Sequence, residues 1–373
     1  MLKKLKLKNF RNFSDEEFFF SENLNAIIWE NWKWKTNILE SIALFSGINF
    51  GKIEFDNLVK KDENIFFIET ELNSGESISI SYDKETKKKK YFINKKASSK
   101  KKTIETFNKT VSFSPIVMNI MYLSPSLRRD FLDEILSKTF ENYRILLSEY
   151  KKILISRNKL LKNIRENKSG KSEIGFWDNK FALKASHIYN YRFWIIKFLK
   201  ENTQDFTNYF EGKITKFDFK YKTKININKT LTKPLSWILT PSQEQGVQKE
   251  EILKNIQRQI LEYLENNIDR DIILSSTNIW PHIDDFEIFV DNIPLTEFAS
   301  RWEVKSVIIW LKLLEIKFIE KHANTKPILL IDDLLSELDK KHKDLLLENI
   351  EWYQVFITSI RNNYENNVKL IKL

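Results

Sequence analysis

Residues 25–45 read NAIIWENWKWKTNILESIALF. The apolar run Ala26-Ile27-Ile28 enters a short polar turn ending in Lys35-Thr36, after which Ile38, Leu39, Ile42 and Phe45 recur at helical spacing. The pattern is strand, loop, helix. With glycine at Trp29, Trp32 and Trp34 the turn would read GENGKGKT, a Gly-x-x-x-x-Gly-Lys-Thr phosphate loop. Such a loop works because backbone N–H groups and a helix N-terminus converge on phosphate oxygens, which requires backbone without Cβ atoms at its turns. Three indoles in six residues would fill that space. Two readings stand at this point: a decayed loop that no longer takes nucleotide, or a loop whose glycines are written as tryptophan.

Composition narrows the classes. The 373 residues are 42% hydrophobic, enough for one large domain or two. There is no cysteine, so disulfides and thiolate metal sites are excluded, and four scattered histidines argue against structural zinc. The basic N-terminus MLKKLKLKNF lacks a signal-peptide core, and no run of ~20 apolar residues occurs, so a soluble, cytoplasmic protein without a membrane partner is expected. A net charge of +10 favours a polyanionic partner without identifying one. Glycine is scarce: 7 residues against 10 tryptophans, where ordinary usage predicts roughly 26 glycines.

Along the chain, Leu5, Leu7 and Phe10 alternate with lysines in a first strand, and residues 65–72 and 78–82 read as further strands. Residues 84–102 hold ten lysines and one glutamate around Tyr91-Phe92-Ile93, the pattern of a basic hairpin. A solvated charged loop is its bland explanation; contact with a phosphate backbone is the sharper one, with Lys87, Lys88, Lys89, Lys90, Lys95, Lys96, Lys100, Lys101 and Lys102 as candidates. Residues 127–166 and 177–210 are helical in period, residues 213–228 alternate as a strand, and residues 248–267 form another helix. The last hundred residues return to α/β character: a strand at 286–290, a helix at 303–319, and Pro327-Ile328-Leu329-Leu330-Ile331, an apolar strand closing on Asp332-Asp333. An acid at the carboxyl end of a buried strand is what a phosphate-bound Mg²⁺ requires, and with Lys35-Thr36 upstream it completes the pair expected of a P-loop ATPase.

Here the chain resembles the RecF family, bacterial DNA repair ATPases of the ABC/SMC-like group. The resemblance runs nearly end to end. It is carried by Phe10-Arg11-Asn12 after the first strand, Phe113-Ser114-Pro115, Ser124-Pro125-Ser126-Leu127-Arg128-Arg129, Arg157-Asn158, Trp177-Asp178 and Pro281-His282-Ile283-Asp284-Asp285. It continues in Phe298 to Glu303, FASRWE, and in Ser336-Glu337-Leu338-Asp339. SMC and Rad50 relatives carry coiled coils of hundreds of residues between their lobes, and this insertion is short. The fold implied is α/β: an ABC-type ATPase head formed by residues 1–126 and 271–373, with a mostly helical insertion over 127–270.

The resemblance also implies roles. ATP and Mg²⁺ are the cofactors, with Trp29, Glu30, Asn31, Trp32, Lys33, Trp34, Lys35 and Thr36 at the nucleotide, Arg11 close to it or to a dimer seam, and Thr36 and Asp332 on the metal. Asp333 takes the position that polarises the attacking water. Ser300, Arg301, Trp302 and Glu303 form a signature that reaches the nucleotide of a second subunit, and Ser336 and Asp339 lie across that interface. The implied function is an ATP-dependent homodimeric clamp for single-strand/double-strand DNA junctions, with RecR and RecO as partners and RecA loading at gaps as the outcome. Hydrolysis serves as a slow switch in recombinational repair and the SOS response, in a nucleoid-associated cytoplasmic protein. A histidine after the strand 355–358 is replaced by Thr358-Ser359. His282, Asp284 and Asp285 suit a structural role better than a metal cluster.

Trp29, Trp32, Trp34, Trp280 and Trp302, with Trp352 beside them, stand where the family has glycine. A decaying gene would replace glycines with assorted residues and would also lose Lys35, Thr36, Ser300 and Asp332. The uniform replacement points instead to UGA codons, read as glycine in some bacterial lineages and rendered here as tryptophan. Trp177 matches a family tryptophan. The rival is a nucleotide-free DNA-binding relative with a dead loop; an unrelated basic protein fits poorly with motifs in one family's order along the whole chain. Intact mass of the natively expressed protein is expected to fall below the tryptophan-containing value by five Trp-to-Gly differences or more. The full tryptophan mass would establish the dead loop.

Overall fold

The structure, a computed structural model, describes residues 1–28, 32–47, 54–107, 109–114, 124–203, 217–224, 226, 247–278, 281–298, 301–359 and 368–372. In order, the elements are β1 (Leu2–Phe10), β2 (Phe13–Phe19), β3 (Leu24–Ile28), α1 (Trp32–Ser46), β4 (Ile65–Leu72), β5 (Ser77–Asp83), β6 (Lys88–Ile93), β7 (Lys96–Ser98), α2 (Lys100–Thr106) and β8 (Thr110–Phe113). The middle of the chain supplies α3 (Pro125–Thr139), α4 (Glu141–Arg165), α5 (Ile174–Glu201), β9 (Phe217–Lys222), α6 (Val247–Asn266), α7 (Ile268–Leu274), β10 (Asp285–Val290), β11 (Ile293–Pro294) and α8 (Leu295–Phe298). It closes with α9 (Arg301–Ala323), β12 (Ile328–Ile331), α10 (Lys340–Ile350), β13 (Val355–Ser359) and β14 (Lys369–Lys372). Two compact units result: residues Met1–Asn119 with Ser306–Leu373, and residues Ile120–Lys305.

In the first unit an antiparallel sheet runs β2-β1-β4-β5-β6-β7, and a parallel sheet runs β14-β3-β13-β12-β8. The parallel sheet interleaves strands from both ends of the chain, so the α/β head is built from its N- and C-terminal segments, as expected. Its inner strand β12 is a continuous apolar run because both faces are covered, and all four of its residues are buried. The antiparallel sheet alternates instead: Leu5 and Leu7 are buried, while Lys4 and Lys6 pair across to Glu17 and Asp15 at 2.8 and 3.3 Å. Leu5, Leu7, Phe66 and Ile80 of this sheet, Ile38, Ile42 and Phe45 of α1, and Leu330 and Phe356 of the parallel sheet belong to one core cluster. Helix α1 ends at Gly47, whose φ of +72° suits glycine and whose Cβ, if present, would meet Ile104 Cδ1 at 2.7 Å.

One buried side chain joins the two sheets. Gln354, just before β13, accepts from the Leu2 N–H at 2.7 Å and donates to the carbonyls of Leu2 and Ser21 at 2.6 and 2.8 Å. It thereby satisfies the start of β1 and the approach to β3 with one amide.

The basic segment departs from expectation in one respect. Residues 88–98 form strands β6 and β7, closed by a two-residue turn in which Asn94 and Lys95 both have positive φ. Lys100, Lys101 and Lys102, however, open helix α2, because the Ser99 hydroxyl accepts from the Lys102 N–H and caps it.

The second unit is mostly helical, with a small sheet ordered β11-β10-β9. Residues 271–305, grouped by the sequence reading with the C-terminal lobe, cluster here, because β10 pairs with β9 from Asp285↔Lys222 to Val290↔Phe217. Two arginines organise the interior. Arg157 binds Asp178, Asp271 and Thr277 at 2.6, 2.8 and 2.7 Å, and Arg192 grips Asp133 at 3.0 and 2.9 Å, Tyr221 at 2.9 Å, and the Pro281 carbonyl. Guanidinium groups this deep in a protein require such carboxylate partners.

His282, Asp284 and Asp285 belong to the same framework. The His282 ring meets Tyr150 Oη at 2.6 Å and the Thr277 carbonyl at 3.0 Å, Tyr189 donates to Asp284 at 2.6 Å, and Arg128 forks onto Asp285 at 2.8 and 2.6 Å. Among the described residues no group of three or more His, Asp or Glu side chains is placed to hold a metal. No helix among them is long and apolar enough to cross a membrane.

Gln354→Ala is expected to lower stability by roughly 2 kcal/mol, since it removes the side-chain partners of the buried Leu2 N–H and carbonyl; an unchanged denaturation midpoint would refute this role. Burial depresses the His282 pKa to about 4. A depressed histidine contributes stability above its unfolded pKa of ~6.5 that is lost as pH falls towards 4, up to about 3 kcal/mol. Unfolding curves between those pH values should therefore be shallower in pH for His282→Gln than for the parent.

Candidate functional site

The parallel sheet sets the site. Its order places β13 between β3, which leads to Lys35-Thr36, and β12, which ends at Asp332-Asp333. The carboxyl edge of such a sheet is where α/β proteins bind ligands. Thr36, in the second turn of α1, places its hydroxyl 3.1 and 3.2 Å from the two carboxylate oxygens of Asp332. The two residues, separated by 296 positions in the chain, share one point in space.

A third member was not singled out from the sequence. The Thr358 hydroxyl donates to Asp332 Oδ1 at 2.9 Å and accepts from the Asp333 N–H at 2.8 Å. The register Ile331↔Ile357 and the β3 pairing Thr358↔Ile27 bring it there. Only the strand order could have revealed it. Asp333 adopts φ of 50°, a left-handed conformation that aspartate tolerates better than most residues, and leads into a 3₁₀ turn over Leu334–Glu337.

Thr36 and Asp332 are hard oxygen donors, and this set fits Mg²⁺. Trp29, Glu30 and Asn31 lie outside the described residues. Trp32, Lys33, Trp34 and Lys35 are described in backbone only, as the first turn of α1, so a helix N-terminus follows β3 as a phosphate loop requires.

Arg11 is held by the protein itself. Its Nε and Nη2 fork onto the two Glu40 oxygens at 2.8 Å each, and Nη1 donates to the Asn57 carbonyl at 2.8 Å. The turn between β1 and β2 is thereby tied to α1, and Glu40, buried on that helix, is a partner the sequence reading missed.

Ser300 lies outside the described residues. Arg301 and Trp302 are described in backbone only, at the start of α9, and Glu303 is half-buried. Ser336 is likewise described in backbone, within the 3₁₀ turn, and Asp339 caps α10 by accepting from the His342 N–H at 2.9 Å.

The nine candidate lysines are all exposed, but they are not equivalent. Lys87 pairs with Asp56 at 2.5 Å, Lys101 with Glu105 at 3.9 Å, and Lys89 sits 3.4 Å above the Phe55 ring. Burial, with the charge of Lys100 beside it, pulls the Lys89 ammonium below the ordinary lysine range.

The tryptophans also divide. Trp194 and Trp310 are buried, and Trp177 packs on the cluster of Leu160, Leu161, Ile164 and Ile174. Trp352 is 70% exposed in the turn before β13. Trp237 and Trp280 lie outside the described residues.

No family model matches the chain. Among curated proteins it is 31% identical over 369 residues to the DNA replication and repair protein RecF of Thermoanaerobacter pseudethanolicus, covering 97% of this chain and 95% of that one. It is 30% identical over 373 residues to the RecF of Ruminiclostridium cellulolyticum, covering 99% and 95%. The solved recombination mediator protein RecF-ATPrS of the RecFOR pathway superposes with a TM-score of 0.83 at 27% identity, over 100% of this chain and 96% of that chain. The corresponding RecF-ATP structure gives 0.82 at 28%, over 98% and 93%. Likeness of sequence and of fold along the full length agrees with the motif order, and the chain belongs to the RecF family of DNA replication and repair proteins.

Proposed function

We propose that the chain is an ATP-gated DNA clamp of recombinational repair. The observation that carries this reading is the junction of Thr36, Asp332 and Thr358 at the carboxyl edge of the parallel sheet. With glycine at positions 29, 32 and 34, backbone N–H groups of residues 30–36 would cradle the phosphates, and Lys35 would pair with their charge. Thr36 and Asp332 would hold Mg²⁺, which would supply charge neutralisation at the phosphate oxygens. Thr358 fixes the Asp332 carboxylate and, through the Asp333 N–H, the backbone that aims Asp333 at the attacking water. The solved RecF-ATP structure is of a relative that takes ATP, and Thr36 and Asp332 support the same ligand here.

Ser300 and the backbone at Trp302, with Ser336 and Asp339, act on a second copy, so nucleotide joins two heads and hydrolysis releases them. DNA is held mainly through phosphates by Lys88, Lys90, Lys95, Lys96, Lys100 and Lys102, with Lys87, Lys89 and Lys101 already engaged within the chain. RecR and RecO follow as partners from the pathway of the solved relatives, and loading of RecA at gaps is the output.

The test is Mg²⁺-dependent binding of a fluorescent ATP analogue. Thr36→Ala and Asp332→Asn are expected to weaken it at least about tenfold, whereas Asp333→Asn should bind normally and lose hydrolysis. Failure of the natively produced protein to bind would leave a nucleotide-free scaffold. Replacing Lys88, Lys90 and Lys96 by Gln should reduce the slope of log affinity for DNA against log salt by roughly one per phosphate contact removed.

A further inference from the structure

Helix α9 and the turn before α10 are joined by three side chains that nucleotide binding does not use. Ser306 Oγ lies 2.5 Å from His342 Nε2, and His342 Nδ1 lies 2.8 Å from Asp339 Oδ1. The same carboxylate oxygen accepts the His342 N–H. A neutral imidazole satisfies both neighbours in one tautomer: Nδ1–H donates to Asp339, and Nε2 accepts the Ser306 hydroxyl proton. Serine, histidine and aspartate in that order also form hydrolytic triads. Ser306, however, stands in the second turn of α9, where its own backbone N–H is engaged in the helix and so is not an oxyanion donor beside its hydroxyl.

The arrangement is a brace. The His342 side chain is 22% exposed and that of Asp339 51% exposed, so the ring is tucked behind a carboxylate at the surface. The capping bond alone fixes one oxygen near the helix N-terminus; the imidazole, anchored through Ser306 to α9, restricts the carboxylate to one rotamer and the turn to one position.

We propose that His342 is a positioning residue that presents Asp339 and its turn to a second copy of the chain when nucleotide is bound. The inference rests on the proposed function for the role of Asp339 at that interface. Without the imidazole the cap persists, and nothing at Thr36, Asp332 or Thr358 changes. Pairing should suffer while nucleotide binding does not.

The experiment uses the natively produced protein with His342→Ala, His342→Gln and Ser306→Ala, reading ATP-analogue affinity and nucleotide-dependent self-association by sedimentation. His342→Ala should keep nucleotide affinity within about twofold and weaken pairing about tenfold or more, with partial recovery in His342→Gln, whose amide restores one of the two contacts. Imidazole ¹⁵N spectra of the parent should show the Nδ1–H tautomer, and Ser306→Ala should shift the Nε2 resonance. A parent that pairs with nucleotide, beside a His342→Ala chain that pairs equally well, overturns the inference alone. Equal loss of nucleotide binding and pairing in His342→Ala makes His342 a residue of the fold and also overturns it. A parent that does not pair when nucleotide is present overturns the proposed function and the inference with it.

Discussion

A carboxylate at the end of a buried strand loses hydration unless the fold supplies donors, and Thr36 and Thr358 both donate to Asp332. The Thr358 hydroxyl donates a hydrogen bond to Asp332 and accepts one from the Asp333 N–H, so one side chain ties the two residues together. Asp332 is left facing Thr36, and the Asp333 backbone turns away in the left-handed region. This works only if β13 lies between β3 and β12, which requires the first thirty or so residues and the last fifty or so to share one sheet. Gln354 belongs to the same requirement, since it fastens the approach to β13 onto β1 and the entry to β3.

That dependence explains what was legible in the sequence. The apolar run of β12, the helical spacing of Ile38, Leu39 and Ile42, and the alternation of β1 are local periodicities, and each became the expected element. Lys35-Thr36 and Asp332-Asp333 stood out because their residue types and flanking strands suit phosphate and metal chemistry, and the structure brings Thr36 and Asp332 into contact. Thr358 and Glu40 were not. Neither has a local signature: Thr358 looks like any strand threonine until β13 is set beside β12, and Glu40 like any helix glutamate until the β1–β2 turn brings Arg11 to it. The placement of residues 271–305 was hidden for the same reason, since the β9–β10 pairing joins segments 65 residues apart, as in Lys222 and Glu287.

The charge of the chain tells a related story. A net charge of +10 suggests a uniformly basic surface, yet the structure assigns the cations different tasks. Arg157 and Arg192 are buried and organise the helical unit, where their carboxylate partners offset desolvation. Lys4 and Lys6 are matched by acids on β2. What stays concentrated is the region around β6, β7 and the start of α2, where a tight Asn94-Lys95 turn brings two lysine-bearing strands together. A patch of this kind attracts polyanions at long range, an attraction that salt screens.

The tryptophans fall into two populations under the same physical test. At Trp194 and Trp310 the indole fills a packed interior, and a glycine would leave a cavity costing about 3–5 kcal/mol or more. At Trp352 the side chain is mostly in solvent and fills nothing. Position 352 therefore behaves as a site whose fold never required an indole, which is what a glycine position would look like if another residue were written there. At the loop after β3 the requirement differs: a phosphate loop needs turns without a Cβ, because only then can backbone N–H groups reach a ligand.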